Sequence, residues 1–410
     1  MIAHRRFFIA FVSLLVTSLS LCGCSISSIY VDKSKLSAAR LDARTDTLAT
    51  IDAASDAEIL QSLFLIGDAG TPLLDTPEPV FEILAAAASV KPEQNTIVFL
   101  GDNIYPAGMP DSLHPARTYA EAVIEAQMRA GLQSGARTIF VPGNHDWGQD
   151  AADGWQRIRA QADFIRQKGN GKISMLPAGG CPGPEVLDIG ERLRLIVLDT
   201  QWWLHPYAKP VHPASDCTCD SKDEVIDSVA KALRDAGSRA AVIVGHHPLA
   251  THGEHGGFFT WKEHLFPLRV FAKWAWLPLP VIGSLYPFAR THGFIRQDLS
   301  GADYSDLKLR LDSVMTAHPP LAYSSGHEHT LQVLKSNSSY FYLVSGDGMA
   351  GHFDQPLTTG DDTVFAHEFP GFMRIDFLRT GRIRLSVVEP SSERGAANVK
   401  AVEVFSMWLK

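Results

Sequence analysis

Five strand-end turns along this chain share one form, four of them after short apolar runs. Phe64-Leu65-Ile66 leads into Gly67-Asp68, and Thr96-Ile97-Val98-Phe99-Leu100 leads into Gly101-Asp102-Asn103. Ile139-Phe140-Val141 leads into Pro142-Gly143-Asn144-His145-Asp146, Val242-Ile243-Val244 into Gly245-His246, and Ser325 into Gly326-His327-Glu328-His329. Continuous apolar, β-branched runs predict strands buried on both faces, as in parallel sheets. The glycine lets the chain turn at the strand end and leaves the next side chain at the carboxyl edge of the sheet, where open α/β folds bind ligands. Helical periodicity over 79–90, 118–132, 155–167 and 224–236 predicts crossover helices, and 193–199 predicts a further strand ending in an acid. After His329 the pattern changes. Strands over 331–334, 340–344, 372–378 and 382–388 with short turns predict an antiparallel finish. The sum is an α/β sandwich of two sheets flanked by helices.

The amino terminus adds an address. His4-Arg5-Arg6 precedes an apolar stretch over 7–21 that is short for a membrane span. Leu21-Cys22-Gly23-Cys24 resembles the lipobox of bacterial lipoproteins, which implies lipidation at Cys24 and export to the cell envelope; a plain cleaved signal peptide or an anchor helix are the alternatives. The expected division is a signal peptide over 1–23, a polar, alanine-rich tether over 24–57, a catalytic domain over 58–395 and a tail over 396–410. The domain carries an apolar insert near 258–298. Within it, 264–288 is rich in Trp, Phe, Leu and Pro, but Pro267, Pro278, Pro280 and Pro287 break it and Arg269 and Lys273 charge it. That argues against a membrane-spanning helix; a lid packed over the domain's own core and a segment at the pocket mouth that meets the membrane interface are the two expectations.

Composition narrows the partners. A net charge of −8 with no basic cluster gives no footprint for nucleic acid, and 45% hydrophobic residues in 410 suffice for a large core. With Cys22 leaving and Cys24 lipidated, Cys181, Cys217 and Cys219 remain in a compartment that permits disulfides, so Cys181 bridged to one of the other two is expected as a loop staple. Cys217-Thr218-Cys219 has no second pair for zinc.

The five turns deliver Asp, Asn and His, which are ligands for divalent and trivalent cations. In order, Gly67-Asp68-Ala69-Gly70, Gly101-Asp102-Asn103-Ile104-Tyr105, Gly143-Asn144-His145-Asp146, Val244-Gly245-His246 and Gly326-His327-Glu328-His329 resemble the five blocks of the calcineurin-like metallophosphoesterases. More narrowly they resemble the small, tartrate-resistant type of purple acid phosphatase. Gly70 stands where most of the superfamily carries a histidine, and Tyr105 fits the GDxxY block whose tyrosinate binds ferric iron. A phenol deprotonates near neutral pH only beside a strongly charged cation.

The resemblance implies a four-layer α-β-β-α sandwich and two metal ions. Asp68, Asp102, Tyr105 and His329 would hold Fe3+, and Asp102, Asn144, His246 and His327 would hold Fe2+, Zn2+ or Mn2+, with Asp102 bridging. His247 competes with His246, but the family's ligand directly follows the glycine. His145 and His255 are implied on the substrate side, with His252 a competitor of His255, and Asp146 is implied to orient His145 or the turn. His114, His205, His212, His292 and His318 are read as surface or structural. Trp202-Trp203, the Cys217–Cys219 loop and the insert depart from the compact phosphatases, so substrate range is not implied. The expected activity is that of a phosphomonoesterase acting on a phosphoester substrate. A phosphodiesterase or nucleotide hydrolase on the same metals is the alternative, and a lipoprotein that binds a phosphorylated ligand without turnover is a third.

Overall fold

The computed structural model describes residues 28–35, 57–270, 272, 274–351, 355–391 and 399–410. Cys24, the apolar stretch over 7–21 and most of the expected tether lie outside these residues. The strands are β1 (Tyr30–Val31), β2 (Ile59–Ile66), β3 (Asn95–Phe99), β4 (Arg137–Phe140), β5 (Ile173–Met175), β6 (Glu185–Ile189), β7 (Leu193–Val197) and β8 (Ala240–Val244). They continue as β9 (Ala322–Ser325), β10 (Leu331–Lys335), β11 (Phe341–Ser345), β12 (Thr363–His367), β13 (Phe372–Leu378), β14 (Ile383–Pro390) and β15 (Ala401–Trp408). The helices are α1 (Pro79–Ala88), α2 (Arg117–Ser134), α3 (Gly154–Lys168), α4 (Thr200–Leu204), α5 (Lys222–Arg234), α6 (Trp261–Leu265), α7 (Leu285–Thr291) and α8 (Ala302–Ala317).

Two mixed sheets result, in the orders β15-β14-β13-β2-β3-β4-β5 and β1-β12-β10-β11-β9-β8-β7-β6. Strand alternation explains how they pack. Leu63, Leu65 and Val98 point into the space between the sheets, where they meet Leu195, Val242 and Val244 of the other sheet. Their neighbours Phe64, Ile66, Ile97 and Phe99 point outward to α1, α2 and α3. On the opposite outer face, Ile196, Ile243 and Tyr323 meet α5 and α8. Helices therefore cover both outer faces, and each fully buried aliphatic side chain contributes about 1.5–3 kcal/mol. At the start of α5 the Ser221 hydroxyl accepts from the Glu224 amide and the Glu224 carboxylate accepts from the Ser221 amide, a reciprocal cap.

β2, β3 and β4 run parallel in register, Phe64 beside Ile97 and Ile97 beside Thr138. β7, β8 and β9 do the same in the other sheet. All five glycine turns thus leave their sheets at one common edge.

Four expectations need correction. The tail is part of the fold: β15 pairs antiparallel with β14 from Arg384–Trp408 to Pro390–Ala401, because Phe405, Met407 and Val404 join the core between the sheets. The tether is not free throughout, since Tyr30 and Val31 pair with Ala366 and Phe365. The carboxyl-terminal half is not wholly antiparallel, as β11 pairs parallel with β9. Helix α8 was not expected; its buried stripe of Tyr304, Leu307, Leu311 and Met315 is narrow and the rest of its surface is charged. Cys181 is bonded to Cys217, and Cys219 is a buried free thiol. Among the described residues no helix is long and apolar enough to cross a membrane.

Phe405 is fully buried and stacks on Phe365 of the opposite sheet, ring centroids 4.9 Å apart. Phe405→Ala should lower the unfolding free energy by about 3–5 kcal/mol in denaturant titration. A loss below about 0.5 kcal/mol, the surface-substitution range, would return β15 to the status of a loose tail.

Candidate metal centre

The turns at the common edge are strained where they carry ligand candidates. Asp68, Asp102 and His327 have φ of 56°, 53° and 67°, a left-handed conformation that costs a non-glycine residue about 1–3 kcal/mol. Close approach adds a second constraint. A Cβ on Gly143 would collide with the Asp102 amide and carboxylate, and one on Gly101 would lie 2.5 Å from His246 Nδ1. Those glycines let one turn's side chain lie on the next turn's backbone. Gly70 is explained likewise: a Cβ there would sit 2.6 Å from Asp102 O and 2.8 Å from the Ile104 amide nitrogen, leaving no room for any side chain.

All seven ligand candidates converge. Tyr105 Oη lies 3.1 Å from Asp68 Oδ1, 3.2 Å from Asp102 Oδ2 and 3.1 Å from His329 Nε2. On the other side of Asp102, His246 Nε2 lies 3.4 Å from the same Oδ2 and 2.9 Å from Asn144 Oδ1. His327 Nδ1 is 3.0 Å from Asn144 Oδ1 and 3.1 Å from His246 Nε2. Asp102 Oδ2 is shared by the two sets.

Backbone carbonyls decide what those imidazoles present. His246 Nδ1 donates to Leu100 O at 2.8 Å, and His327 Nε2 donates to Gln297 O at 2.8 Å. A carbonyl oxygen accepts only, so each neutral ring turns a lone pair toward Asn144 Oδ1 and Asp102 Oδ2, which are acceptors too. Acceptors gathered at one point call for positive charge, supplied by a second proton on His246 or by a bound cation. Cation–ligand bonds of about 2.0–2.2 Å put neighbouring ligand atoms about 2.8–3.6 Å apart, and both sets fall inside that range. The donors fit two cations, one oxygen-rich with a phenol and one richer in imidazole.

Electrostatics agree. Burial opposes charge on His246, but the Asp102 carboxylate outweighs it and lifts the imidazole up to about 9. Without a cation, a second proton on Nε2 therefore stands in the cation's place, and metal binding would displace it. Burial, then His246 and His145, act on Asp102; the histidines win and hold it well below the usual carboxylate range. Burial, Asp68 and Asp102 all push the Tyr105 phenol far up, so protein groups alone do not make a phenolate here. His247 lies within reach of His246 and His327, a group that could itself hold a cation, but here its two nitrogens are hydrogen-bonded to Thr200 Oγ1 at 2.7 Å and Gln297 Oε1 at 2.8 Å.

His145 flanks the Tyr105 side. Its Nδ1 donates to Pro106 O at 2.6 Å, its Nε2 is 3.8 Å from Asp102 Oδ2, and its ring meets Tyr105 edge-on at 4.3 Å. His255 flanks the other side, its ring 3.8 Å from that of His327 and its Nδ1 3.0 Å from both Gln297 O and Asp298 Oδ1. His252 instead bonds Asp362 and packs on Phe258. His205 is buried against Trp147.

Asp146 does not reach His145. Its carboxylate accepts from the amides of Gly143 (2.8 Å) and Asn103 (3.1 Å) and from Asn103 Nδ2 (2.9 Å). It joins the second and third turns, and burial followed by Asp102 pushes it up to about 7. The expected catalytic residue is a positioning residue.

Three supports were not foreseen. Glu328, buried between the two ligand histidines of its motif, accepts from the amides of Glu254 (3.1 Å) and His255 (3.0 Å) and holds that loop. Gln297 O fixes the His327 tautomer. Arg290 pairs with Asp298, which holds His255. Glu328 was visible by its place in the motif; Gln297 and Arg290 lie in the insert, where no pattern marks them. A cavity of about 220 Å³ adjoins the centre, walled by His255, His327 and His329 on one side and by Phe266, Arg269, Tyr286 and Arg290 of the insert on the other.

No family model and no curated protein matches this chain. Among solved structures it is similar to GAP50, "the anchor in the inner membrane complex of Plasmodium", at 14% identity over 85% of this chain and 90% of that one, with a TM-score of 0.49. It is similar to Vps29 of Chaetomium thermophilum at 12% identity over 86% of this chain and 98% of that one, with a TM-score of 0.30. Likenesses of that degree have no bearing on what the centre does.

Asp146→Ala should weaken metal binding by about 10–100-fold, because the turns carrying Asp102 and Asn144 lose their brace. Metal titration with a competing chelator measures it. Unchanged affinity with abolished turnover would instead give Asp146 a direct part in proton transfer.

Proposed function

We propose that this chain is a metal-dependent phosphoester hydrolase with a binuclear centre, its sandwich being of the calcineurin-like metallophosphoesterase type and its ligand set of the purple acid phosphatase type. The observation that carries this reading is the convergence of Asp68, Asp102, Tyr105, Asn144, His246, His327 and His329 into two ligand sets that share Asp102 Oδ2. Asp68, Asp102, Tyr105 and His329 would hold Fe3+; Asp102, Asn144, His246 and His327 would hold Fe2+, Zn2+ or Mn2+. Such a pair supplies Lewis acidity to a phosphoryl group and an acidified water as nucleophile.

The chain's own groups divide the remaining work. Asp102 keeps both ligand sets in one frame, and the Leu100 and Gln297 carbonyls keep His246 and His327 in the ligating tautomer. Burial lowers the affinity of His145 for a second proton and Asp102 opposes that effect, so its ring can hold or release a proton at Nε2 beside the centre. His255, oriented by Asp298 and the Gln297 carbonyl, stands across His327 on the cavity side. Arg269 and Arg290 share the cavity wall with Glu254, Glu263 and Glu328, and Arg290 is paired with Glu254 and Asp298, so the charge that meets an anionic ester would come from the metal ions. A phosphomonoester is the leading substrate class with a diester as the alternative, and export with lipidation at Cys24 is part of the proposal.

Hydrolysis of 4-nitrophenyl phosphate and of bis(4-nitrophenyl) phosphate by the purified metal-loaded chain tests the activity and ranks mono- against diester. A chain that holds two metal ions and cleaves neither ester contradicts the proposal. Colour tests the ferric assignment. The oxidised protein should absorb in the visible through Tyr105, and Tyr105→Phe should abolish the band while the thermal melt still shows a folded protein. A colourless wild type that holds only zinc or manganese removes iron but leaves the hydrolase.

A further inference from the structure

The insert is built inside out. Its buried side chains include Arg269, Arg290 and Asp298, on the cavity side. Its large apolar side chains are in solvent: Trp274 is 82% exposed, Phe294 71%, Leu285 64% and Ile282 61%. More than half of the exposed large apolar side chains among the described residues fall between 258 and 295. No described residue from 260 to 298 joins any of the protein's hydrophobic cores. A lid closed over the domain's own core would show the reverse distribution. The pieces also form one face. Helices α6 and α7 and the short turns at Pro267–Val270 and Ile282–Ser284 pack on one another. The rings of Trp261, Phe266 and Trp276 meet edge-on in sequence, with the Arg269 guanidinium 3.8 Å above Trp276. Monomeric soluble surfaces rarely carry an apolar patch of this extent unless something covers it.

The path of the chain indicates what covers it. β12 runs antiparallel to β10, with His367 opposite Leu331, two residues beyond the ligand candidate His329. β1 in turn runs antiparallel to β12, with Tyr30 opposite Ala366. The chain therefore enters its sheet from the edge that carries the metal centre. Beside that entry Glu368 accepts from the Gln355 amide, and Gln355 lines the cavity with the insert. Cys24 lies six residues before Tyr30, a reach of about 20 Å even when fully extended. An attachment to lipid at Cys24 thus holds the metal-centre edge, and the insert beside it, against the bilayer. Trp, Leu and Phe with flanking cations are the side chains that partition into the membrane interface.

We infer that the apolar outer face of the insert docks on a lipid bilayer and opens the cavity toward the headgroup layer, so that the substrate is a phosphoester carried by a membrane-resident amphiphile. The substrate class rests on the hydrolase reading; the docking rests on lipid attachment at Cys24 and not on the hydrolase.

The test uses the full chain reconstituted in vesicles of phosphatidylcholine and phosphatidylglycerol. With phosphatidylcholine brominated near the carbonyl end of its acyl chains, emission from the exposed Trp261, Trp274 and Trp276 should be quenched relative to unbrominated vesicles. The variant W274S/L277S/I282S should lose most of that quenching while remaining vesicle-bound. The same variant should hydrolyse phosphatidic acid in the vesicles about tenfold more slowly, a loss of about 1.4 kcal/mol in transition-state stabilisation. Its hydrolysis of 4-nitrophenyl phosphate should stay at the wild-type rate. Emission unaffected by bromination, in a chain that still cleaves 4-nitrophenyl phosphate, overturns the docking. If such a chain also sediments as a dimer, the face belongs to a second copy. Emission quenched in a chain that cleaves neither ester upholds the docking and removes the hydrolase reading under the substrate class.

Discussion

Lone pairs that face one another are the constraint on which this structure turns. With one ring proton on a backbone carbonyl, His246 and His327 each aim the other nitrogen at Asn144 Oδ1 and the Asp102 carboxylate, free to ligate once His246 gives up its second proton. Asp68 and Asp102 accept from the His327 and His145 amides and from the Tyr105 hydroxyl. Two carboxylates buried this completely and this close still gather negative charge that is costly without a nearby positive one. A bound cation converts that cost into binding energy. Much else follows from keeping the acceptors together. Three ligand positions are held at positive φ, glycines replace any larger residue where turns touch, and Asp146 sits buried solely to tie two turns together. These are expensive local choices, tolerated because two sheets with a continuous core between them hold the turns in place.

That division explains what could be read from the residues alone. The strands that carry the motifs are uniform apolar runs with glycine stops, so their type and their common edge were legible, and all seven ligand candidates meet as expected. The elements that were missed have weaker local signals. β15 alternates polar and apolar residues and belongs to the sheet because Phe405 has Phe365 to stack on, a partner 40 residues away in sequence. α8 hides a narrow apolar stripe under a charged surface. Of the two roles expected of Asp146, orienting His145 or the turn, the structure places it on the turn, because a left-handed second turn brings the Asn103 amide to its carboxylate. Gln297 could not have been picked out. Its contribution to His327 is a main-chain carbonyl, which any residue type supplies.

The insert links the centre to its surroundings. Its inward side furnishes Arg269, Arg290 and the His255 support, while its outward side is apolar. One segment between the fourth and fifth motifs therefore shapes the cavity and presents the surface through which a substrate would arrive. Since β1 docks beside the same edge, the amino-terminal approach of the chain and the cavity share one side of the molecule.

The central claim is that two cations share Asp102. The most direct measurement is metal content per chain, by mass spectrometry of the purified protein and of two variants. The wild type should hold two equivalents, His246→Ala one and Asp102→Ala fewer than one, with all three folded by circular dichroism. Two equivalents retained in Asp102→Ala, or a wild type saturating at one, would contradict the account.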